Sequence, residues 1–223
     1  MPRHLLPFVF LTLLSQTASP QTFTLRSIDG TPAKITLALG KITEKYGRSF
    51  TITTDKDTLY LNEFWAIYTA EVINDNFLEI TYAERGGSNL GITNYLLLSV
   101  VNHKLIESAF LLQISDWEAF EHKTYTVRPT LLGNAPENYR LALDFQAEAN
   151  NRSGKWIFAH HHQDTLSFNP SLHIFYSQKQ HPPTIHVRYL AFFGENLDYY
   201  YVNGIWKDDE TESTQWEPTS RHN

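Results

Sequence analysis

Residues 77–82 read Phe-Leu-Glu-Ile-Thr-Tyr, and from Leu78 onward apolar and polar side chains alternate. Alternation with a period of two is typical of a β-strand that has one buried face. Further runs are rich in β-branched and aromatic residues, whose side chains fit a pleated surface. They lie at residues 95–101, 139–145, 172–177 and 185–193. These runs predict a protein built mainly from strands.

Turn residues separate the runs. Asn74-Asp75-Asn76 precedes the first run, Asn102-His103 follows the second, and Asn203-Gly204 lies between two apolar stretches near the C-terminus. Asn-Gly is a strong hairpin signal, because both residues tolerate the positive φ that the turn requires. Since the connections are short, we expect neighbouring strands to pair antiparallel.

Residues 31–47 fit two descriptions. Their apolar residues at 35, 38, 39, 42 and 46 have helical spacing, and Pro32 suits the first position of a helix. However, Ile35, Leu37 and Leu39 also alternate, and Gly40 would lie in the middle of the helix. The segment therefore favours strands and leaves at most one short helix near 32–46. The predicted fold class is all-β, an antiparallel meander forming a β-sandwich or flattened barrel.

Composition limits the function classes. The chain has 223 residues, of which 14% are aromatic, with no cysteine and a net charge of −6. This aromatic content excludes a disordered chain, and the acidic excess without a Lys/Arg cluster excludes a nucleic-acid partner. No long linker divides the chain, so residues 20–223 are predicted to form a single β-rich domain. Its acidic C-terminal tail is expected to fray from about residue 208.

The first nineteen residues have the pattern of a secretory signal peptide. Arg3 and His4 precede an apolar stretch from Leu5 to Leu14, and a small polar segment follows. At a rise of about 1.5 Å per residue the apolar stretch is half as long as a bilayer core is thick. We therefore predict cleavage near Ala18, no transmembrane segment after cleavage, and a secreted or periplasmic product.

The sequence His160-His161-His162 contains the candidate metal ligands. On a strand, His160, His162 and Asp164 would share one face. Two imidazoles and a carboxylate form a known ligand set for zinc or iron. The alternative is that the histidines are structural residues of a partly exposed strand.

Two further groups are candidate ligand contacts. Arg85, Ser88 and Asn89 belong to a glycine-rich connection, in which Arg85 and exposed amides could hold an anion. The aromatic residues Trp117, Tyr199 and Tyr201 could form a surface patch that stacks on a ligand. Carboxylates also flank Trp117, as a glycosidase would require.

No complete catalytic set occurs in the sequence. The favoured hypothesis is therefore an exported, soluble β-sandwich that needs no cofactor and binds a small ligand, a glycan or an envelope protein without catalysis. One alternative is a metal-dependent enzyme or metal-binding protein that uses zinc or iron at His160, His162 and Asp164. A second alternative is a carbohydrate-binding or carbohydrate-active protein.

Overall fold

The computed structural model describes residues 19–43, 47–84, 90–117, 121–151, 156–176, 184–187, 197–202 and 205–208. Within these ranges there are fourteen strands and one 3₁₀ turn, Pro136–Asn138. The strands are β1 (Gln21–Arg26), β2 (Pro32–Thr43), β3 (Gly47–Thr53), β4 (Thr58–Ile73), β5 (Phe77–Glu84), β6 (Leu90–Val101), β7 (Lys104–Trp117), β8 (Glu121–Leu132), β9 (Arg140–Asn151), β10 (Trp156–Asn169), β11 (Ile174–Tyr176), β12 (Thr184–Val187), β13 (Leu197–Val202) and β14 (Ile205–Asp208). None of the helical structure in these ranges is long and apolar enough to cross a membrane.

The strands pair in chain order. β1 to β11 form one antiparallel sheet of eleven strands, and β12 to β14 form a second sheet of three. The predicted all-β antiparallel meander is thus confirmed. The ambiguous segment forms strand β2, in which Ile35 and Leu37 are buried and alternate with the more exposed Lys34 and Thr36. Burial follows the alternation rather than the helical spacing, since Leu37 is buried whereas Ala38 is only half-buried.

Two predicted turns of the large sheet are confirmed. Asn74 and Asp75 have φ of 49° and 57°, and Asn102 and His103 have φ of 50° and 67°. Asparagine and aspartate are enriched in this left-handed region because their short polar side chains bond locally. Residues 203–204 lie outside the described residues, but Val202 and Ile205 on either side of them are paired, as a hairpin requires.

Strand β5 is covered on both faces. Phe77 and Tyr82 are five residues apart in a regular strand, so their side chains point to opposite faces. The ring of Tyr82 lies 5.4 Å from Phe50 of β3, whereas Phe77 contacts Phe168 of β10 at 6.0 Å and Phe175 of β11 at 5.7 Å. The two ends of the meander therefore pack on opposite sides of β5. Residues 95–100 of the neighbouring β6 are all buried in the same way.

Two long strands make this layering possible. β4 pairs with β3 through Thr58–Phe64 and with β5 through Phe64–Ile73, with bulges after Phe64 and Ile67. β7 pairs with β6 along its length but with β8 only through Ile114–Trp117. Bulges and changes of partner bend a sheet. A continuous meander can thus fold back on itself without a long connection.

Candidate functional site

Three turns from distant parts of the chain meet at one place. We call residues 27–31, 54–57 and 102–103 the turn cluster. The Ser27 hydroxyl donates to the carbonyl oxygen of Val100 at 2.6 Å, and the Asn102 N–H donates to Asp29 Oδ2 at 3.1 Å. From the other side, the Thr54 hydroxyl donates to the His103 carbonyl oxygen at 2.6 Å. Both N-terminal hairpins are therefore tied to the β6–β7 turn.

Carboxylates hold the turn cluster together. Asp29 Oδ1 accepts hydrogen bonds from the Thr31 hydroxyl at 2.7 Å and from the Thr31 N–H at 3.0 Å. The bond from the Thr31 hydroxyl, together with those from the N–H groups of Thr31 and Asn102, holds the pKa of Asp29 well below its usual range. Asp57 Oδ2 accepts the Leu105 N–H at 2.9 Å. These contacts fix the positions of the turns with charged acceptors, which bind N–H groups more strongly than neutral ones.

A cleft of about 380 Å³ opens beside the turn cluster. We call it the Lys34 cleft. Pro32, Ala33 and Val100 supply apolar lining, and Lys34, Asp55 and His103 supply charged or titratable groups. His103 Nδ1 lies 2.9 Å from Asp55 Oδ1. The volume is within the range of small-molecule sites, about 300–1,000 Å³.

Sequence reasoning missed the Lys34 cleft. Each of its turns has an ordinary turn composition, and nothing local indicates which turns meet. The bonds that join them span 73 residues for Ser27 and Val100 and 49 residues for Thr54 and His103. The one signal available was the concentration of Asp, Asn and Thr in these turns, since such side chains commonly bond to nearby backbone.

The side chains of the six predicted ligand contacts lie outside the described part of the chain, so their grouping stays a prediction. Arg85, Ser88 and Asn89 lie outside the described residues. Leu90, which follows their connection, pairs with Asp116, so the connection ends beside Trp117, the last residue of β7. Tyr199 and Tyr201 are in β13 of the small sheet and pair with Asp208 and Trp206. Their backbone gives no link to Trp117, so the proposed aromatic patch stays a prediction.

The predicted metal ligands lie on a regular strand. Residues 158–167 of β10 pair with β9 without interruption, and His160, His162 and Asp164 are opposite Ala147, Phe145 and Leu143. The alternation that the prediction requires is therefore present in the backbone. Asp164 is half-buried, and its Oδ1 accepts the Thr165 N–H at 2.8 Å. Among the side chains that are described, no three His, Asp or Glu could hold a metal ion. Those of His160 and His162 are not among them, so the metal site stays a prediction.

Strands β5 and β6 carry a half-buried and a fully buried polar residue, Glu79 and Asn94. Asn94 is fully buried, and neither polar atom of its amide has a hydrogen-bond partner in the described part of the chain. Glu79 accepts a hydrogen bond from the Tyr95 hydroxyl at 3.0 Å. Burial raises the pKa of Glu79, the hydrogen bond from Tyr95 opposes this, and the charge of Glu71 on β4 raises it further. The fold thus buries the amide of Asn94 without hydrogen bonds from the described residues and disfavours the charged form of Glu79.

Comparisons with known proteins give no relative for this chain. Neither a scan against protein-family models nor searches of curated proteins and of solved structures found a match to this chain.

Proposed function

We propose that this chain is an exported, non-catalytic binding protein that takes a small polar ligand in the Lys34 cleft. The observation that carries the proposal is the juxtaposition of Lys34 and Asp55 around an apolar lining. An ammonium and a carboxylate in one cleft match a ligand that carries both charges, and the apolar residues match its carbon atoms. A zwitterionic small molecule such as a free amino acid has this chemistry.

The rigidity of the surroundings supports binding. Binding residues are commonly held on turns that a stable scaffold positions. Asp55 and His103 belong to turns that are joined to each other by the Thr54 hydroxyl, and Lys34 belongs to β2 in the sheet. Little order then has to be imposed when a ligand arrives, which reduces the free-energy cost of binding.

The same contacts argue against catalysis in the Lys34 cleft. His103 and Asp55 resemble the base and orienting carboxylate of a hydrolase. However, the Thr54 hydroxyl donates its hydrogen to the His103 carbonyl oxygen rather than to the imidazole. It therefore lacks the contact to a base that would activate it as a nucleophile. Export is supported by the signal-peptide pattern of residues 1–19, and the N-terminal sequence of the protein recovered from outside the cytoplasm would test it.

An NMR titration of ¹⁵N-labelled protein without residues 1–19 tests the binding proposal. Glycine, acetate and methylammonium serve as probes, each at concentrations up to the millimolar range. We expect glycine to shift the amide signals of Lys34, Asp55 and His103 more than either singly charged probe does. Lys34→Ala should abolish these shifts, and Arg128→Ala, at an exposed cation on β8, should leave them unchanged. Absence of shifts with glycine, or shifts that survive Lys34→Ala, would overturn the proposal.

A second candidate function is metal binding at His160, His162 and Asp164. The uninterrupted register of β10 favours it, because two-residue spacing on a regular strand is what brings such ligands to one face. The test is the metal content of untagged protein. About one zinc or iron ion per chain, lost in His160→Ala/His162→Ala but kept in His161→Ala, would support this function. Metal far below this level, with no increase in melting temperature on adding zinc, would exclude it.

A further inference from the structure

Strand β1 has one edge that no described strand pairs with. β1 is the first strand in the sheet order, and within the described residues it pairs with β2 alone. The Arg26 N–H donates to the Asp75 carbonyl oxygen at 2.7 Å, and the Arg26 carbonyl oxygen accepts from Asn76 Nδ2 at 2.8 Å. Both groups of Arg26 therefore point away from β2. Because backbone groups alternate along a strand, those of Thr24 and Thr22 point the same way.

Within the described residues, this edge has none of the usual protection against pairing. Proteins blunt exposed edges with charges, prolines, bulges or very short strands. Residues 21–25 contain no charge and no proline, their pairing with β2 has no bulge, and Thr22 and Thr24 are exposed. By contrast, β11 at the other side of the sheet has only three residues. The open edge of β1 is bounded by Pro20, which has no N–H, and by Arg26, whose backbone groups are already bonded.

We propose that β1 pairs antiparallel with β1 of a second copy of this chain, about a two-fold axis at Phe23. In this register Thr22 lies opposite Thr24 of the partner subunit, and Thr24 lies opposite Thr22 of the partner subunit. Each of the two pairs exchanges both of its backbone hydrogen bonds, as hydrogen-bonded pairs of antiparallel strands do. The contact uses the same surface on both copies and closes at a dimer.

The residues of the edge favour a second copy in this orientation. Cross-strand pairs of threonine are stabilising, by about 0.2–1 kcal/mol each. The antiparallel arrangement places the two Arg26 side chains at opposite ends of the contact, whereas a parallel one would set like charges side by side. Of the described residues, two on each copy, Thr22 and Thr24, supply the backbone groups of this contact. We therefore expect a dimer that dissociates on dilution.

Disulfide trapping tests the register directly, because the chain contains no cysteine. Thr22→Cys and Thr24→Cys proteins are prepared separately, mixed and oxidised mildly. Opposite Cα atoms in such a pair are about 5.5 Å apart, within the range that a disulfide spans. In a dimer of two Thr22→Cys chains, or of two Thr24→Cys chains, the substituted positions would be diagonal neighbours about 7–8 Å apart, too far for an unstrained bridge. We therefore expect a covalent dimer in the mixture and little in either protein alone.

Thr58→Cys provides the matched control, since Thr58 is an exposed threonine of strand β4. Mixed with Thr24→Cys, it should give no covalent dimer above the level that random collision produces. Equal yields in all mixtures, or no dimer in the Thr22→Cys and Thr24→Cys mixture, would overturn the proposal.

Sedimentation equilibrium gives an independent measurement. The average mass of the unmodified protein should rise toward that of a dimer with concentration. Thr24→Pro removes one outward N–H at a position where an edge strand tolerates proline, and it should remain monomeric. A mass of one chain at all concentrations for both proteins would contradict the proposal, whatever ligand the Lys34 cleft binds.

Discussion

Asn94 is 0% exposed, and its side-chain amide is unpaired within the described part of the chain, on strand β6 between Tyr82 of β5 and Leu112 of β7. Leaving a buried polar group without its hydrogen bonds costs about 1–3 kcal/mol. Leucine has the same branching at Cγ, with two methyl groups in place of the amide oxygen and nitrogen, and no polar atoms. We therefore expect Asn94→Leu to increase the free energy of unfolding by about 1 kcal/mol, measured by urea denaturation.

Asn94→Asp is the matched variant, because it keeps the shape of the side chain and adds a charge. An ionised carboxyl group in this position has to be desolvated, so the variant should be less stable than the wild type at neutral pH and recover as the pH falls. A loss of stability in Asn94→Leu would contradict the prediction.

Glu79 should stabilise the folded protein in mild acid and lose this effect as the pH rises. Burial, and then the facing Glu71, raise the pKa of Glu79 above its ordinary value of 4.5. The folded state therefore holds this proton more tightly than the unfolded state does. The resulting stabilisation is present below pH 4.5 and is lost as the pH rises through the folded-state pKa. Relative to Glu79→Gln, the wild type should lose stability over this range, as measured by thermal melts at a series of pH values.

Glu71→Gln separates the two causes of the shift in the pKa of Glu79. It removes the facing charge but leaves the burial of Glu79 unchanged. With this substitution present, the pH-dependent difference in melting temperature caused by Glu79→Gln should be smaller, but it should not disappear. If the wild type and Glu79→Gln melt in parallel at all pH values, then the carboxyl group of Glu79 titrates normally.

At the scale of the elements, the Thr54 hydroxyl makes the contacts that join two turns. It donates to the His103 carbonyl oxygen and accepts the N–H groups of Asp57 at 2.9 Å and of Lys56 at 3.3 Å. Valine has the same shape but makes none of these bonds. We expect Thr54→Val to lower the free energy of unfolding by about 1–2 kcal/mol, because these hydrogen bonds are lost. Chemical denaturation measures the difference.

The preceding residue is a control for this variant. The Thr53 hydroxyl has a weak contact, 3.4 Å from the Thr36 carbonyl oxygen, and its residue is part of strand β3. Thr53→Val should be close to neutral, since valine is as well suited to a strand as threonine. Equal losses in both variants would argue that the turn cluster contributes nothing specific.

Individual strands and turns were predictable because their signals are local. The alternation in residues 78–82 and the turn residues at 74–76 and 102–103 determine β5 and its neighbours without reference to the rest of the chain. The run at 172–177 was predicted too long, since Leu172 lies in the turn before β11. The turn cluster was not predictable, because the turns that form it are joined only by contacts between distant residues.

At the scale of the whole molecule, the strands that are buried on both faces should be the last to exchange their amide hydrogens. Residues 95–100 of β6 are covered from two sides, whereas β1 has an edge that the described residues leave open. Amides that exchange only on global unfolding lie in such doubly covered strands. At concentrations where the protein is monomeric, hydrogen exchange should therefore be slowest in residues 95–100 and faster by orders of magnitude at Thr22 and Thr24. Comparable rates in the two segments would mean that β6 opens independently of global unfolding.

The order of strand pairing could be predicted from the sequence for the whole molecule. The way in which the sheet folds back on both faces of β5 could not. Short connections imply that each strand pairs with the next, whichever way the sheet bends. The bend depends on where β4 and β7 change partners, and the bulges at Phe64 and Ile67 have no signal in the sequence. The candidate ligand residues were taken from loops and aromatic clusters, whereas the cleft forms where strand ends meet.

Pairing in chain order has a consequence for how the protein is made. Each strand of the large sheet finds its partner in the segment synthesised just before it, so hairpins can form while the remainder of the chain is still emerging. The N-terminal hairpins acquire their anchor only when residues 100–105 appear, since the carbonyl oxygens of Val100 and His103 accept hydrogen bonds from them and the Leu105 N–H donates one to them. The order of synthesis is thus also an order of assembly, in which the end of β6, its turn and the start of β7 secure the two hairpins made before them.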